Sequence, residues 1–329
     1  MKKKAILFST ILCLILFPFF SNRFGNVYLV HILALIGIYI ILSLGLNLTI
    51  GLTGLLDLGF CAFYAIGAYS SVLLNLSGVS FWFCVPLSIG ISVLFRFLLG
   101  KPVLHLRGDY LAIVTLGFGE ITRLALNNWD SLTNGPKGLP KVGEIISPPK
   151  ISSFVFRDDI HFYYLILFFV LVVVIISYRL ENSRIGRALV AIREDETAAS
   201  AMGIDISNLK MIAFLFSGGI AGLAGCLYSH WIGFISPESF TFWESVFLVC
   251  MVVLGGIGSI PGVILGVFLL VGVPEVLRIF LGQAFVSYRM LVFGFAMIVM
   301  VILRPEGIIP SIRRFYELRV KNDIRDKKY

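Results

Sequence analysis

Apolar residues occur in runs long enough to cross a bilayer, and short polar or glycine-rich stretches separate these runs. A transmembrane helix needs about 20 consecutive, mostly apolar residues. The pattern therefore predicts an all-α polytopic membrane protein with about ten transmembrane helices. We place them at residues 5–20, 27–50, 51–76, 81–99, 110–127, 162–178 and 211–231, on either side of a Gly/Pro break at 255–261, and at 288–303.

The first apolar run resembles a secretory signal peptide, because Lys2–Lys4 precede it. No small-x-small cleavage site follows, since Phe17-Pro-Phe-Phe occupies that place. We therefore interpret it as a retained first span.

The polar stretch from Arg184 to Lys210 differs in composition from an ordinary loop. It contains no Gly or Pro between Arg187 and Met202 and is rich in good helix formers. Gly203 is suited to end a helix, and Asp205 is suited to cap the next one. The pattern predicts one short surface helix, whose crest of charges runs from Arg193 to Glu196. It serves either as a docking surface or as a solvated linker without a partner.

The run from Gly51 to Leu76 is too rich in glycine for a lipid-facing helix. Broken backbone at membrane depth is tolerated only where protein buries it or where it lines a cavity. Asp57 lies within this run, and an intramembrane carboxylate is a candidate functional residue. The alternative is that Asp57 lies near the cytoplasmic end and caps a helix. The candidate pathway residues are Gly51, Gly54, Asp57, Gly59, Phe60, Phe63 and Tyr64.

Two further groups of residues lie in predicted spans. Glu120 and Arg123 are three positions apart, so they share a helix face and are expected to form an intramembrane ion pair. Gly218, Gly222 and Gly225 form a small-residue ridge that predicts close helix packing, and we expect Gly222→Leu to lower the yield of an assembled complex.

Charge indicates orientation. Charged residues make up only 14% of the chain, and the basic excess of +8 lies mainly at span ends rather than in a nucleic-acid footprint. Ten spans place both termini on one side, together with the 96–107 stretch, the loop at about 180–210 and the basic tail. The positive-inside rule makes that side cytoplasmic and the loop at about 129–160 external. Residues 1–308 then form one transmembrane domain, and 309–329 form a basic cytoplasmic tail.

Composition and motifs exclude several kinds of site. The five cysteines lie in apolar runs without CxxC spacing, so we expect neither disulfides nor a metal site. The only Gly-Lys dipeptide, Gly100-Lys101, is followed by Pro102 and has Phe95 where a phosphate-binding loop requires its first Gly. The chain is predicted to bind no nucleotide or other cofactor and to be no enzyme.

Several long segments resemble the LivM-type permeases of branched-chain amino acid importers of the ATP-binding-cassette class. They are GLNLTIGLTGLLDLGFCAFYAIGAYSSVLL, LRGDYLAIVTLGFGEITRLALNN, GRALVAIREDETAASAMGIDISNLKMIAFLFSGGIAGLAGCLY, LGGIGSIPGVILG and RPEGI. The resemblance implies a multi-pass permease in a prokaryotic cell membrane. It also implies a second, LivH-type permease, two ATPase subunits that bind ATP and Mg²⁺, and an extracytoplasmic solute-binding protein as partners.

The resemblance gives the polar stretch at 180–210 a role as the coupling loop that docks on an ATPase. Permeases of this class usually present Glu-Ala-Ala, three residues and Gly there. This sequence departs from that pattern by an inserted Thr197, and Gly203 follows four positions after the second Ala, as the pattern requires. The residues assigned to docking are Arg193, Glu194, Glu196, Ala198, Ala199 and Gly203.

An alternative class is an ion-coupled secondary transporter that uses Asp57, Glu120 and Arg123 as a relay. An intramembrane enzyme lacks a convergent catalytic set in this sequence. The substrate also has alternatives, because the family includes permeases that resemble carriers of urea, short amides and other amino acids.

Overall fold

A computed structural model describes residues 27–281 apart from 105, 107, 152, 153 and 157, together with 294, 298, 302 and 307–310. The predicted first span, most of the tenth and the tail from 311 onward lie outside the described residues. The described part is overwhelmingly helical, which confirms the all-α class. Two short antiparallel strands, β1 (Lys150–Ile151) and β2 (Phe154–Val155), are its exception.

Long helices alternate with short connectors. The α-helices are α1 Val27–Asn47, α2 Phe60–Leu76, α3 Phe81–Val103, α4 Asp109–Asn128, α5 Asp130–Thr133, α6 Asp159–Glu181, α7 Arg184–Glu194, α8 Glu196–Ala201, α9 Ile206–Ile232, α10 Phe242–Gly255, α11 Ile260–Val267 and α12 Val273–Leu281. The π-helical segments Leu48–Thr53 and Phe268–Gly272 prolong α1 and α11, and Gly135–Lys137 and Pro237–Phe240 form 3₁₀ turns.

Five helical stretches of the described residues are long and apolar enough to cross a membrane. They are Tyr28–Thr53, Phe81–Val103, Asp159–Glu181, Ile206–Ile232 and Ile260–Arg278, and α2 and α10 are shorter apolar helices. The predicted break at 255–261 is observed between α10 and α11. The predicted fifth span corresponds to α4, which is not among these five stretches.

The centre of the bundle is α9, which packs mainly against α2 and α3. Its glycine-rich sequence keeps the surface of α9 flat, so neighbouring backbones can approach closely. On the other side of the bundle, α1 packs against α6, α9 and the α10–α11 unit.

The helices α3 and α4 differ from this centre because much of their apolar surface is exposed. Phe83 and Leu98 of α3 and Tyr110, Ile113 and Ile121 of α4 are among the exposed large side chains. In a membrane protein such surface is compatible with contact to lipid or to a second subunit.

The helix α6 separates the two long loops of the chain. The loop at 129–158 precedes it and the coupling loop follows it, so 23 helical residues lie between them. At a rise of 1.5 Å per residue this helix is about 34 Å long, which is enough to span the hydrocarbon core. The two loops therefore lie at opposite ends of the same helix.

The structure corrects two expectations. The predicted fourth span, 81–99, corresponds to α3, which continues to Val103. Arg96 therefore lies inside α3 and is fully buried instead of opening a cytoplasmic loop. The coupling loop contains two helices instead of one, because Asp195 adopts an extended conformation and its side chain caps α8 by accepting from the Thr197 and Ala198 amides at 2.7 and 3.0 Å.

Candidate functional site

The glycine-rich segment between α1 and α2 is irregular, as its composition suggests. The π-helix that prolongs α1 ends at Gly54, whose φ of 73° is the left-handed conformation that glycine adopts without strain. Residues 54–59 are non-helical, and α2 begins at Phe60. Gly51, Asp57 and Gly59 are buried, whereas Gly54 is exposed. The irregular backbone is thus largely enclosed by protein.

Asp57 forms an ion pair with Arg96, and both side chains are 0% exposed. The Arg96 guanidinium also donates from Nε to the Phe214 carbonyl at 3.1 Å and from Nη2 to Ser217 Oγ at 3.4 Å. The other Asp57 oxygen, Oδ1, accepts from the Gly59 amide at 3.1 Å. Buried charges persist when they are paired and hydrogen-bonded, so this cluster joins the irregular segment before α2 to α3 and α9.

Aromatic rings surround the Arg96 guanidinium. Its Cζ lies 3.5 Å from the Phe214 ring centroid, 4.3 Å from that of Phe63 and 5.9 Å from that of Phe60. A cation over a ring face is attracted by the ring quadrupole. Phe60 and Phe63 are candidate pathway residues, but in this conformation they contact a buried cation. Gly218 leaves room for the arginine stem, since a Cβ there would lie 2.7 Å from Arg96 Cγ.

Tyr64 lies one turn further along α2 and is also buried. Its ring packs against those of Phe240 and Tyr228, with centroid distances of 4.9 and 5.5 Å. It therefore belongs to an aromatic cluster between α2, α9 and the turn before α10.

Glu120 and Arg123 lie side by side on α4. Arg123 donates from Nε and Nη2 to the same oxygen of Glu120, Oε2, at 3.0 and 2.9 Å. Both side chains are partly exposed, Glu120 by 34% and Arg123 by 28%. The two charges compensate each other without being enclosed by the part of the chain that the structure describes.

A small, partly open pocket lies beside Glu120. It is lined by the start of α2, the middle of α4 and the region from Phe240 to Ser245, including Ala62, Leu116 and Phe242. Gly59 brings α2 and α4 together, since a Cβ there would collide with the Thr115 carbonyl. The pocket is mostly apolar, with a carboxylate among its lining groups.

Arg193 connects the coupling loop to the irregular segment. Its Nη1 donates to the Gly51 carbonyl at 2.6 Å, and its Cγ would lie 3.1 Å from a Cβ at Gly54. Carbonyls in the last turn of a helix lack an intrahelical donor, and a cation is favoured at the negative end of the helix dipole. Arg193 therefore caps the end of the α1 helix from the coupling loop instead of joining an exposed crest.

The remaining coupling-loop residues divide into inward and outward groups. Glu196 accepts a hydrogen bond from the buried Lys210 at 2.7 Å, and Ala199 is buried. Glu194 and Ala198 are exposed, and Met202 is 83% exposed. Gly203 follows with a φ of 80° and open space around it.

The glycines of α9 pack within this chain. Gly222 lies against Gly67 of α2 and against α3, where a Cβ would lie 2.5 Å from Ser92 Oγ and 2.9 Å from the Ser88 carbonyl. A Cβ at Gly225 would collide with the Tyr64 carbonyl. A larger residue at Gly222 therefore acts first on the folding of this subunit, and the expected loss of assembled complex follows from that.

The described residues include no group of three or more His, Cys, Asp or Glu side chains that could hold a metal ion. Gly100, Lys101 and Pro102 lie within α3 instead of forming a phosphate-binding loop.

The sequence indicates Asp57 and Glu120 as candidates, because carboxylates are conspicuous in apolar runs. Arg96 was missed as a functional candidate, because an arginine followed by Lys101 resembles the end of a span. The inward contact of Arg193 was also missed, because a run of four charged residues is typical of an exposed surface.

Residues 28–301 match the family described as "Branched-chain amino acid transport system / permease component". The chain is 41% identical to the "High-affinity branched-chain amino acid transport system permease protein LivM" of Salmonella typhimurium, over 97% of this chain and 77% of that protein. It is 28% identical to the LivH permease protein of the same organism, over 82% and 91% of the two chains. A "Probable branched-chain amino acid transport permease protein LivM" of Methanocaldococcus jannaschii is 28% identical over 85% and 92%. No solved structure matches.

Proposed function

This chain belongs to the family of branched-chain amino acid transport system permease components, and we propose that it forms one half of the membrane pathway of an ATP-binding-cassette importer. As a member of this family it is a multi-pass membrane permease subunit of a branched-chain amino acid transport system. The other half is a LivH-type permease, since this chain is similar to LivM and LivH proteins alike. Two ATPase subunits and an extracytoplasmic binding protein complete the importer.

The proposed orientation places the coupling loop and both termini in the cytoplasm and the 129–160 loop outside. A total of about ten spans, with residues 5–20 as the first, accompanies this orientation. The basic residues flanking the coupling loop support it through the positive-inside rule. The membrane is the plasma membrane of a prokaryotic cell.

The observation that carries the proposed coupling to ATP is the shape of the coupling loop. The short helix α8 is capped at one end by Asp195 and ends before a left-handed Gly203. Ala198 and the C-cap residue Met202 are both exposed. They are four positions apart and therefore lie on the same face of the helix. A short capped helix with small exposed residues beside the acidic Glu194, Asp195 and Glu196 suits docking in a cleft of another protein.

The proposed route of the amino acid runs beside the irregular Gly51–Gly59 segment. Leu58, Cys61 and Ala62 border the pocket between α2 and α4, which supports this route. Asp57, Phe60 and Phe63 hold Arg96 in the core and position the start of α2. Tyr64 supports the same wall from the aromatic cluster.

Reconstitution tests the proposal. We expect leucine uptake into proteoliposomes only when both permeases, the ATPases, ATP and loaded binding protein are present. Uptake by this chain alone under a proton or sodium gradient would instead establish the ion-coupled class. Binding-protein titration with leucine, urea and short amides identifies the substrate.

Variants of the coupling loop test the docking role. Glu196→Lys places a cation beside the buried Lys210, and Gly203→Val forces a β-branched residue into the left-handed region at a cost of roughly 1–2 kcal/mol. We expect both complexes to assemble with reduced stimulation of ATPase activity by loaded binding protein. Unchanged stimulation and uptake in both would show that the loop is only a linker.

A further inference from the structure

The ion pair on α4 occupies an unusual place for two charges. Glu120 and Arg123 lie near the middle of a 20-residue helix whose exposed side chains are largely apolar. Charged groups in a membrane span are costly against lipid and are found facing other protein or a water-filled route. The part of the chain described by the structure leaves both side chains about one-third exposed. In the proposed topology, in which α4 is the fifth span, that exposed side of α4 therefore faces the route or the second permease.

The hydrogen bonding of the pair is incomplete in a specific way. Both donors of Arg123 that are in use, Nε and Nη2, bind one oxygen of Glu120. Among the described residues, none forms a hydrogen bond with the second carboxylate oxygen of Glu120 or with Nη1 of Arg123. A ligand could thus receive one charge-assisted contact from each residue without breaking the pair.

Apolar side chains and a few polar groups line the pocket next to the pair. Glu120 lines the pocket together with Ala62, Leu116, Phe240 and Phe242, and Ser245 adds a hydroxyl. A ligand whose cationic group binds Glu120 would therefore place a neighbouring aliphatic group against these apolar side chains. An α-amino acid with a branched side chain combines an ammonium, a carboxylate and such a group on one carbon atom.

We propose that Glu120, Arg123 and this pocket form a transit site for zwitterionic aliphatic amino acids. Glu120 accepts hydrogen bonds from the α-ammonium, Arg123 donates to the α-carboxylate, and the side chain lies along Leu116 and Phe242. The inference rests on the proposed function and adds the location of a contact site within it. Because the pair remains intact, contact with the ligand is weak and exchange is fast, which suits passage rather than storage.

Protection of a cysteine at position 116 tests the site. The Leu116→Cys complex, with the other cysteines replaced, is reconstituted without binding protein and labelled with a small hydrophilic thiol reagent. Three competitors are added separately: leucine, 4-methylpentanoate, which lacks the ammonium, and isopentylamine, which lacks the carboxylate. We expect leucine to slow labelling, and each analogue to require an about tenfold higher concentration, as loss of one charge-assisted contact predicts.

Charge-specific variants separate recognition from a structural role. In Glu120→Gln, leucine should protect no better than 4-methylpentanoate; in Arg123→Gln, no better than isopentylamine. Glu275→Gln is the matched control, because Glu275 and Arg278 form another Glu–Arg pair at the same spacing, on α12. The control should retain the full preference for leucine.

The outcomes distinguish the site from the proposed function. If the complex imports leucine with its binding protein but position 116 is unreactive, or if leucine and both analogues protect it equally, the transit site is wrong. If Glu120→Gln and Arg123→Gln keep the full preference for leucine, the pair is only structural. If the parent complex imports no leucine under any condition, the proposed function itself fails.

Discussion

Asp57 and Arg96 form a buried ion pair, so removal of either charge alone lowers the stability of the protein. We expect Asp57→Leu or Arg96→Met alone to destabilise the protein by about 3–5 kcal/mol, because each leaves an uncompensated charge among apolar groups. The double variant should recover most of that loss, since methionine suits the ring cage formed by Phe63 and Phe214. Thermal unfolding in detergent measures both effects.

Arg179→Met serves as the control for this pair, because Arg179 is exposed near the end of α6. It should leave the unfolding temperature nearly unchanged. A double variant as unstable as the single variants would show that the hydrogen bonds to Phe214 and Ser217, rather than the charge balance, hold the cluster together.

At the scale of single residues, the sequence predicts which residues are unusual but not which partners they have. Asp57 is conspicuous because a carboxylate interrupts an apolar run. Its partner lies 39 positions away, and only the packing of α3 beside α2 brings the two together. The neighbouring pair Glu120–Arg123 was predictable, because helical periodicity alone places residues three apart on one face.

At the scale of elements, the contact of Arg193 with the end of the α1 helix predicts a mechanical connection. Arg193→Ala should leave the Gly51 carbonyl without its donor, a cost of about 1–3 kcal/mol. We expect the reconstituted complex to hydrolyse more ATP per leucine imported, because movement of the coupling loop no longer displaces the irregular segment. Uptake and ATP hydrolysis measured on the same vesicles give this ratio.

Arg193→Lys should restore part of the coupling, since an ammonium can also donate to the carbonyl. Arg187→Ala is the matched control on the same helix, where an exposed arginine donates to the Asn182 carbonyl. An ATP-to-leucine ratio that is identical in all of these variants would refute the connection.

Helix packing at Gly222 gives a second prediction about elements. Gly222→Ala should destabilise the subunit by about 1–3 kcal/mol, because its Cβ meets Ser92 and the Ser88 carbonyl. Gly90→Ala is the control, since a Cβ on that face of α3 meets nothing within 4 Å. It should be neutral or stabilising by up to about 1 kcal/mol. Thermal unfolding of the isolated subunits measures both effects. Equal unfolding temperatures for Gly222→Ala and Gly90→Ala would contradict the packing role of Gly222.

The sequence predicts most helices and the interruptions that glycines mark, but not the break inside the coupling loop. Composition correctly indicates a helical coupling loop, yet the break at Asp195 depends on whether its side chain caps α8 or faces solvent. The conformation of Asp195 depends on the packing of α7, which precedes it. Leu189 and Ile192 of α7 are buried, and Arg193 donates to the Gly51 carbonyl. Local propensity contains no information on such a tertiary contact.

For the molecule as a whole, α6 fixes the relative positions of the two long loops. We expect a cysteine at Val142, which is fully exposed in the 129–158 loop, to react with an impermeant thiol reagent in intact cells. A cysteine at Met202 should react only in inverted vesicles. A cysteine at the buried Ile166 of α6 should react in neither. Labelling of positions 142 and 202 from the same side would overturn the proposed topology.

Orientation is a property that the sequence alone predicts at this scale, because the distribution of Lys and Arg is visible without a structure. The shape of the bundle is not visible in that way. The central place of α9 depends on contacts of Gly222 and Gly225 with particular backbone atoms of α2 and α3, and apolar periodicity does not distinguish such a helix from a lipid-facing one.

The Asp57–Arg96 pair also constrains how the chain enters the bilayer during synthesis. Asp57 emerges 39 residues before Arg96, a delay of several seconds at about 5–20 residues per second. An unpaired carboxylate within an apolar span is costly, up to about 2.5–3.5 kcal/mol at a helix centre on insertion scales. Since only residues 77–80 separate α2 from α3, we expect the insertion machinery to retain α2 until α3 has emerged and to release both as a helical hairpin. Crosslinking of stalled nascent chains to lipid should accordingly begin only once Arg96 has left the ribosome.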